Sequence, residues 1–567
     1  MTLSPCSVRH EMEELGNLLN MLPDDILTVI LSYRTLQDIE KLRYLNKRFA
    51  KAALLNLPLW IGVLDDLDDY FLRLKCSVAF AFMDVKQSVA HMYDDLESAL
   101  DAFQRFRQLY PGKQLEIRIP DSDQYYTGYK VLSNPYDDDE AFIGDASFRG
   151  LELDGGIYSN WDGLRIVTPQ IDAVYKAGGY SVFVKDRVVS HAFTDCSGLT
   201  SVSFPDDLTD IGDFGLGFCN QVTEVTFPPM LQNIGCCAFK KTNLTKVDLS
   251  GCDLRIIGAS AFRSCCNLVS VIFPPTLMEI ECEAFSLCER LTVVNLSLTQ
   301  LKKMSGWAFA GCIRLISVYL PAGMEEIAQC AFTDCHELVH LMLPIGLKKI
   351  DRAAFCRCVK LKDVIFPSSL QTIDNNAFER CGITSMVLWG SIGYSVFHMC
   401  YELKEVALQN TDVIMQCAFS SCGQLKRVQF PPTLRVVEPK AFALCSNLMS
   451  VNLSDTKLKI IAGTTFYRCL KLESVSFPDS LTIIEPYAFA ECVKLASLTF
   501  PSALRTIGHH AFANCTTLAF VSFPPRLTHI QDYAFEYCTS LTKLNLPPNL
   551  LKKGNKVFYG CTELMYN

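Results

Sequence analysis

The chain has 567 residues, 49% of them apolar and 20% charged, with 52 basic against 61 acidic side chains and a net charge of −9. That composition excludes wholesale disorder, and the acidic balance argues against a nucleic-acid binder, which needs a basic face for phosphates. No apolar run approaches the ~18 residues that span a bilayer, and the opening MTLSPCSVRHEMEELGNLLN lacks the basic-then-apolar order of a secretory leader. The length exceeds what one small core needs, so several domains or a repeat array is expected.

Residues 1–21 read as an N-terminal extension. Residues 22–60 read as a small all-α unit. Pro23 sits at a helix start with Asp24 and Asp25 in the first turn, where the dipole favours acids. Ile26, Leu27, Ile30 and Leu31 form a helical apolar stripe. Thr35-Leu-Gln-Asp38 opens a second helix in the manner of a capping box, with Ile39, Leu42 and Leu45 inward. The residues Leu22-Pro23, Ile26, Ile30-Leu31-Ser32-Tyr33, Leu36, Ile39, Leu45-Asn46-Lys47-Arg48-Phe49 and Leu59-Trp60 resemble an F-box. Arg34 departs from the Leu usual there. The resemblance implies docking to a Skp-type adaptor of a cullin–RING ubiquitin ligase, with Leu22, Pro23, Ile26, Ile30, Leu31 and Leu45 carrying the contact. The alternative is a helical hairpin packed on its own domain.

Residues 61–144 read as a mixed α/β connecting segment. Lys75–Met83 and Gln114–Ile119 suit strands, and Ser88–Tyr110 reads as an amphipathic helix ended by Pro111-Gly112. Tyr136-Asp-Asp-Asp-Glu140 is an acidic loop. Residues 145–190, with the strand-like GLRIVTP at 163–169, are expected to form atypical opening coils of a solenoid.

From 191 to 567 one pattern repeats. HAFTDC, SAFRSC, EAFSLC and a dozen similar hexapeptides share Ala-Phe or its equivalent followed by Cys three residues after the Phe. Two more segments, LGFCNQ and CAFKKT, keep a Phe without that Cys. The Phe positions run 193, 218, 239, 262 and onward to 558, and ten of the sixteen intervals are 23 residues. A full unit, Cys492 to Cys515, has the skeleton C-x-x-L-x-x-L-x-F-P-x-x-L-x-x-I-x-x-x-A-F-x-x-C. Apolar residues two apart mark a strand, and Pro501 ends it. No unit buries its apolar set alone, whereas stacked coils do. The pattern resembles the BspA-type leucine-rich repeat. That resemblance implies a right-handed solenoid with one parallel sheet, about 75–80 Å long for sixteen strands at ~4.8 Å. The interval from Phe378 to Phe397 falls to 19, with VLWGSIGYSVF in place of the Pro corner, which reads as a local kink or a partner-specific notch.

Fifteen of the 26 Cys occupy the slot after the repeat Phe. A small, soft side chain suits a stacked turn. A metal or redox relay would need His partners or ligand-spaced Cys pairs, which are missing. The extra thiols Cys236–Cys237, Cys265–Cys266 and Cys356/Cys358 read as packing too. His509-His510 falls in a repeat turn and reads as solvent-facing. No nucleotide, zinc-protease or hydrolase motif is present, so no catalytic residue, cofactor or metal is expected.

Strand alternation places the residue between the inward Val and Phe outside. That row is polar at both ends and apolar in the middle, at Ile272 and from Tyr319 through Met342 and Ile365 to Val387, with His340 beside Met342. An apolar patch rimmed by polar residues marks an interaction site; β-propensity alone is the other explanation. The expectation is therefore an α/β leucine-rich repeat solenoid behind an F-box-like unit, cytoplasmic or nuclear, with no nucleic-acid or membrane partner. It would act as substrate receptor of a ubiquitin ligase, its solenoid holding a protein substrate. The alternative is a surface, adhesion or generic binding scaffold.

Overall fold

The structure, a computed structural model, describes residues 171–564 apart from a few positions, together with the backbone of four earlier strands. The F-box-like segment, including Leu22, Pro23, Ile26, Ile30, Leu31 and Leu45, lies outside the described residues. The described residues fall into two compact units that divide at Leu208/Thr209, with Phe218–Pro228 belonging to the first.

The first unit carries a seven-stranded mixed sheet. In chain order its strands are β1 (Val78–Asp84), β2 (Gln87–Tyr93), β3 (Leu115–Arg118), β4 (Leu164–Val167), β5 (Ile171–Lys176), β6 (Gly179–Val184) and β7 (Leu199–Ser203). Their order across the sheet is β2-β1-β3-β4-β5-β6-β7. β1 and β2 form a tight antiparallel hairpin, Asp84 opposite Gln87. The expected helix therefore does not begin at Ser88: Ser88–Tyr93 is strand, because Val, His and Tyr alternating with smaller residues fit a pleat beside β1. β3 and β4 fall where the sequence suggests strands. Residues 164–184, expected to form opening coils, are antiparallel from β4 through β6, with parallel pairing only at the flanks, β3 to β4 and β6 to β7. Ile171, Ala173 and Tyr175 on β5 and Tyr180, Val182 and Val184 on β6 are buried, which is the period-2 pattern of a half-covered sheet. Gly178 and Gly179 turn the hairpin at φ +131° and +149°, and a Cβ on Gly179 would lie 2.3 Å from the Gly198 carbonyl oxygen.

The second unit is a β-solenoid whose coils each present three hydrogen-bonded sides. One side is the expected strand, as in Lys246–Asp248, Ser270–Ile272, Val293–Asn295, Ser317–Tyr319 and His340–Met342, which form one five-stranded parallel sheet. The expected single continuous sheet is interrupted, however. Residues 361–367 adopt no strand, and the ladder resumes at Ser385–Trp389. A second side is also a parallel ladder, built from two-residue strands around the repeat Ile, such as Glu326–Ile327, Lys349–Ile350 and Thr372–Ile373. The sequence pattern marks that Ile only as an inward anchor, because two residues are too few to show a period.

The third side is the Ala-Phe turn. The residues two before and two after the Phe have positive φ in coil after coil, for instance Ser260 at 55° and Ser264 at 59°. Alternate amides then point along the stack. Ser260 N donates to Cys282 O at 2.8 Å, Phe262 N to Ala284 O at 2.7 Å and Ser264 N to Ser286 O at 2.8 Å. A non-Gly residue in this region costs about 1 kcal/mol, which a backbone hydrogen bond of similar net value offsets.

The core is a set of stacked columns. Phe rings from Phe239 to Phe558 lie one above the next, with Phe262 and Phe285 centroids 5.0 Å apart and 6° from parallel. The corner Phe of several coils, Phe273 and Phe366 among them, meets this column edge-on. The Phe378–Phe397 shortening leaves the column intact, its rings 5.6 Å apart. It deletes one corner only: strand 385–389 passes through Gly390, φ +79°, straight into strand 391–392. Ser385–Trp389 pairs residue for residue with Glu405–Gln409.

One slot needs correction. Phe218 is not the repeat Phe of its coil. Ile211 pairs with Ile234, and five residues after each come Leu216 and Phe239, both fully buried. Leu216 fills the ring slot, and Cys219 is a Cys-slot residue.

Candidate partner-binding surface

The first-ladder strands turn their central residue inward and the residue after it outward. Val318 is fully buried between Ser317 and Tyr319, and Leu341 is buried between His340 and Met342. Parallel pairing without stagger then aligns Asn295, Tyr319 and Met342 across three coils. Tyr319 is 38% exposed and Met342 69%. His340 is also exposed, but its register partner Ser317 is buried. Ile272 is exposed opposite Asp248, separated from Tyr319 by the Asn295 coil. Ile365 is 87% exposed on the stretch that leaves the ladder, while Val364 beside it is buried. Val387 pairs with Ala407 in the next sheet. Among the expected surface residues, Tyr319, Met342 and His340 are thus brought together in adjoining strands. Ile272, Ile365 and Val387 extend the same row with gaps.

The surface holds apolar residues that alternation alone does not flag. Ile316 and Val339 precede their strands and are exposed, and the Ile316 carbonyl accepts the His340 amide at 3.0 Å. Ile345, 89% exposed, stands at the corner after Met342, where other coils carry Pro, Ser or Asp, as at Pro275, Ser368 and Asp479. Its carbonyl accepts the Ser369 hydroxyl at 2.6 Å. The signal for Ile345 was present as an isoleucine in the P-x-x-L corner.

The Cys slot proves chemical in a limited sense. In the first unit Cys219 Sγ donates to the Phe193 carbonyl at 2.8 Å. In the second, each slot thiol donates to the Phe carbonyl of the preceding coil, from Cys265 at 3.1 Å to Cys561 at 3.2 Å. Thr242 occupies the slot in one coil and donates its hydroxyl to the Phe239 carbonyl at 2.9 Å. Burial pushes Cys265, Cys312, Cys400, Cys445 and Cys515 up to about 12. They are held as thiols, the form that donates. No disulfide links the slot cysteines from Cys265 to Cys561. Among the described residues no group of three or more His, Cys, Asp or Glu could hold a metal ion, and no helix is long and apolar enough to cross a membrane.

His510 is not solvent-facing. Its ring stacks between Tyr487 and Tyr533, with centroids 4.9 and 5.0 Å away, and Nδ1 lies 3.1 Å from Glu536 Oε2.

A family model described as BspA type Leucine rich repeat region (6 copies) matches residues 186–305, 279–392, 390–496 and 437–565. No curated protein matches the sequence. Among solved structures, a leucine-rich repeat protein from Bacteroides ovatus is 25% identical over 68% of this chain and 98% of its own, with a TM-score of 0.48. The T. pallidum leucine-rich repeat protein is 32% identical over 26% of this chain and 72% of its own, TM-score 0.26. A leucine rich cell surface protein from Faecalibacterium prausnitzii is 20% identical over 63% and 94%, TM-score 0.31. With the repeat matched from residue 186 to 565 and its coils seen to stack, the chain belongs to the BspA-type leucine-rich repeat family.

Proposed function

We propose that this protein is a non-catalytic scaffold that binds a protein partner through the middle of its first ladder. The observation that carries the reading is the exposed apolar cluster of Ile316, Tyr319, Val339, Met342, Ile345 and Ile365, set on or beside strands whose inward residues Val318 and Leu341 are used by the core. Side chains fixed by a rigid ladder lose little entropy on docking, and an aromatic with a Met beside it is the kind of anchor an interface core uses. Substituting Tyr319 and Met342 by Ala in the full chain, followed by crosslinking capture from lysate of the source cells, tests it. Loss of the captured partner at an unchanged melting temperature is the expected result. A fall of several degrees would make these residues core and remove the reading.

The ubiquitin-ligase receptor reading needs the 22–60 segment, which the family match, beginning at residue 186, does not reach. It rests on the F-box resemblance alone, and the repeat family supports the general scaffold better. Co-purification with a Skp-type adaptor, abolished by substitutions at Pro23 and Ile30, would restore it. Cytoplasmic or nuclear placement is likewise part of the proposal, supported by a thiol column that works only when reduced.

A further inference from the structure

The thiol column has one end within reach of solvent. From Cys265 to Cys538 every slot sulfur belongs to a buried residue, whereas Cys561 is half-buried. Cys561 Sγ donates to the Phe535 carbonyl at 3.2 Å, and Cys538 Sγ, one coil back, donates to the Phe512 carbonyl at 3.3 Å. The two coils are held in step. Phe535 N donates to Val557 O at 2.9 Å and Tyr537 N to Tyr559 O at 2.7 Å, and the Phe535 and Phe558 rings stack at 5.7 Å. Residues in one slot of stacked coils stand about 4.8 Å apart at Cα. That is inside the range of roughly 4.4–6.8 Å that a disulfide spans, and the two sulfurs lie within hydrogen-bond reach of each other.

That contact makes the pair unequal. Once Cys561 gives up its proton, the Cys538 S–H can turn from the Phe512 carbonyl to the Cys561 sulfur. This hydrogen bond holds Cys561 below the ordinary thiol range, with burial opposing it, and pushes Cys538 well above that range. The other reachable thiols run the opposite way. Cys236, Cys266, Cys282, Cys356 and Cys417 are exposed or half-buried, and burial raises each of them. Cys561 is thus the reachable described thiol that is poised to ionise, and the thiolate is the form that reacts. Its neighbour Cys538 is shielded from solvent and touches it along the column.

We propose that Cys561 and Cys538 are a peroxide-sensitive pair, in which hydrogen peroxide oxidises Cys561 and Cys538 resolves it to a disulfide. The Cys561 thiolate attacks one peroxide oxygen. The O–O bond breaks, an S–O bond forms, and the hydroxide released takes up the proton that Cys561 lost and leaves as water. The Cys538 sulfur then attacks the Cys561 sulfur. The S–O bond breaks, and the hydroxyl leaves as water with the Cys538 proton. Two thiols and one peroxide give one disulfide and two waters, with sulfur oxidised and peroxide oxygen reduced. The disulfide removes both S–H donors, so the Phe512 and Phe535 carbonyls lose the bonds that the slot supplies. The pair lies in the core column, so it is independent of the surface around Tyr319.

The test treats the reduced full chain with limiting hydrogen peroxide at neutral pH, blocks the remaining thiols with N-ethylmaleimide in denaturant and digests with trypsin without reduction. Cys538 is the one Cys of tryptic peptide 527–543 and Cys561 the one Cys of peptide 557–567. Mass spectrometry is expected to find these two peptides linked, two hydrogens lighter than their sum, and separated again by dithiothreitol. Their linkage should outrun oxidation of Cys266 and Cys282 by about tenfold or more, the advantage of a thiol that ionises one pH unit lower. Cys538→Ser keeps a donor in the slot, as Thr242 does for the Phe239 carbonyl. It should halt Cys561 at the sulfenic acid, which dimedone traps, and Cys561→Ser should abolish both products. The mapping of the parent chain stands whether or not either variant folds. Absence of the linked pair, a sulfonic acid at Cys561 with Cys538 left as a thiol, or Cys561 reacting no faster than Cys266 overturns the proposal.

Discussion

The ring column makes the sharpest prediction about what holds the solenoid together. Phe332 is fully buried and stacks on Phe309 at 5.6 Å and on Phe355 at 5.4 Å, both within 5° of parallel. Phe332→Ala removes a large buried side chain and leaves a cavity, a change that costs about 3–5 kcal/mol. Phe332→Leu is the more informative variant, because Leu216 shows that the slot accepts an aliphatic residue. It keeps most of the volume and loses two ring–ring contacts, each worth roughly 0.5–1.5 kcal/mol beyond area burial, so it should cost about 1–3 kcal/mol. Urea unfolding followed by circular dichroism gives the total, and hydrogen exchange locates it, since coils of an array need not unfold together. Phe332→Leu combined with Phe355→Leu should show a coupling of about 0.5–1.5 kcal/mol. Phe332→Leu combined with Phe419→Leu, several coils away, should show none. If Phe332→Leu unfolds like the parent chain, the rings are filler and the stacking argument fails.

Thr411 sits fully buried where other coils have the corner Leu, and its hydroxyl has no partner. Thr411→Val keeps the shape and removes the stranded polar group, so it should stabilise by about 1–2 kcal/mol; destabilisation in the same urea assay would mean the hydroxyl is used. His510 titrates below its ordinary 6.5, chiefly through burial and secondly through His509, with Glu536 opposing. A histidine depressed in the fold is charged more readily when unfolded, so its stability contribution is present above pH 6.5 and is lost as the pH falls through the lowered value. Hydrogen-exchange protection factors around residues 487–535, taken against the intrinsic rate at each pH, should fall between pH 7 and 5, and His510→Gln should flatten that slope; an identical slope in the variant counts against the assignment.

What could be read from the sequence divides along physical lines. The 23-residue period is legible because one ring and one thiol recur, and both prove to be continuous columns. The register slip at Phe218 came from matching the nearest aromatic rather than the spacing, since 23 residues after Phe193 falls on Leu216. The second ladder is hidden because two-residue strands carry no alternation. The left-handed residues are hidden too, because most of them are Ser, Cys, Lys, Arg or Tyr, with Gly or Asn at a few such as Gly311, Asn376, Asn514 and Gly560. Stacking, not local preference, sets their backbone. The outward apolar row was visible as alternation, yet Ile345 and Ile316 lie outside the strand triplets and needed coordinates to join it. The break in the second ladder between Val436–Val437 and Ile460–Ile461 left only a faint trace, a spacing of 24 residues between Phe442 and Phe466.

That trace shows why length changes act so differently along the array. Losing four residues between Phe378 and Phe397 harms neither ladder, because the loss removes a whole corner and Gly390 joins the two strands directly. Gaining one residue is harder to place. Three corners do so, at Asp248-Leu-Ser250, Asn295-Leu-Ser297 and Asn452-Leu-Ser454, although only the last two lengthen their coil, Phe239 to Phe262 staying at 23. Each replaces the corner Pro by a side-chain turn in which Asp248, Asn295 or Asn452 accepts the amide of the Ser two residues on, at 3.2, 3.1 and 3.1 Å. In the first, Asp253 N donates to Pro229 O at 3.0 Å, and Ile256 and Ile257 still pair with Asn233 and Ile234. In the second, the two-residue pairing to Ile280 is lost but Ser305 N reaches the Ile280 carbonyl at 3.2 Å. In the third, Lys457 N is held by Leu434 O at 2.9 Å, and the two coils are not bonded again until Lys440 N meets Gly463 O at 3.2 Å. The break in the second ladder beside Val436 is therefore the progressive failure to seat one extra residue.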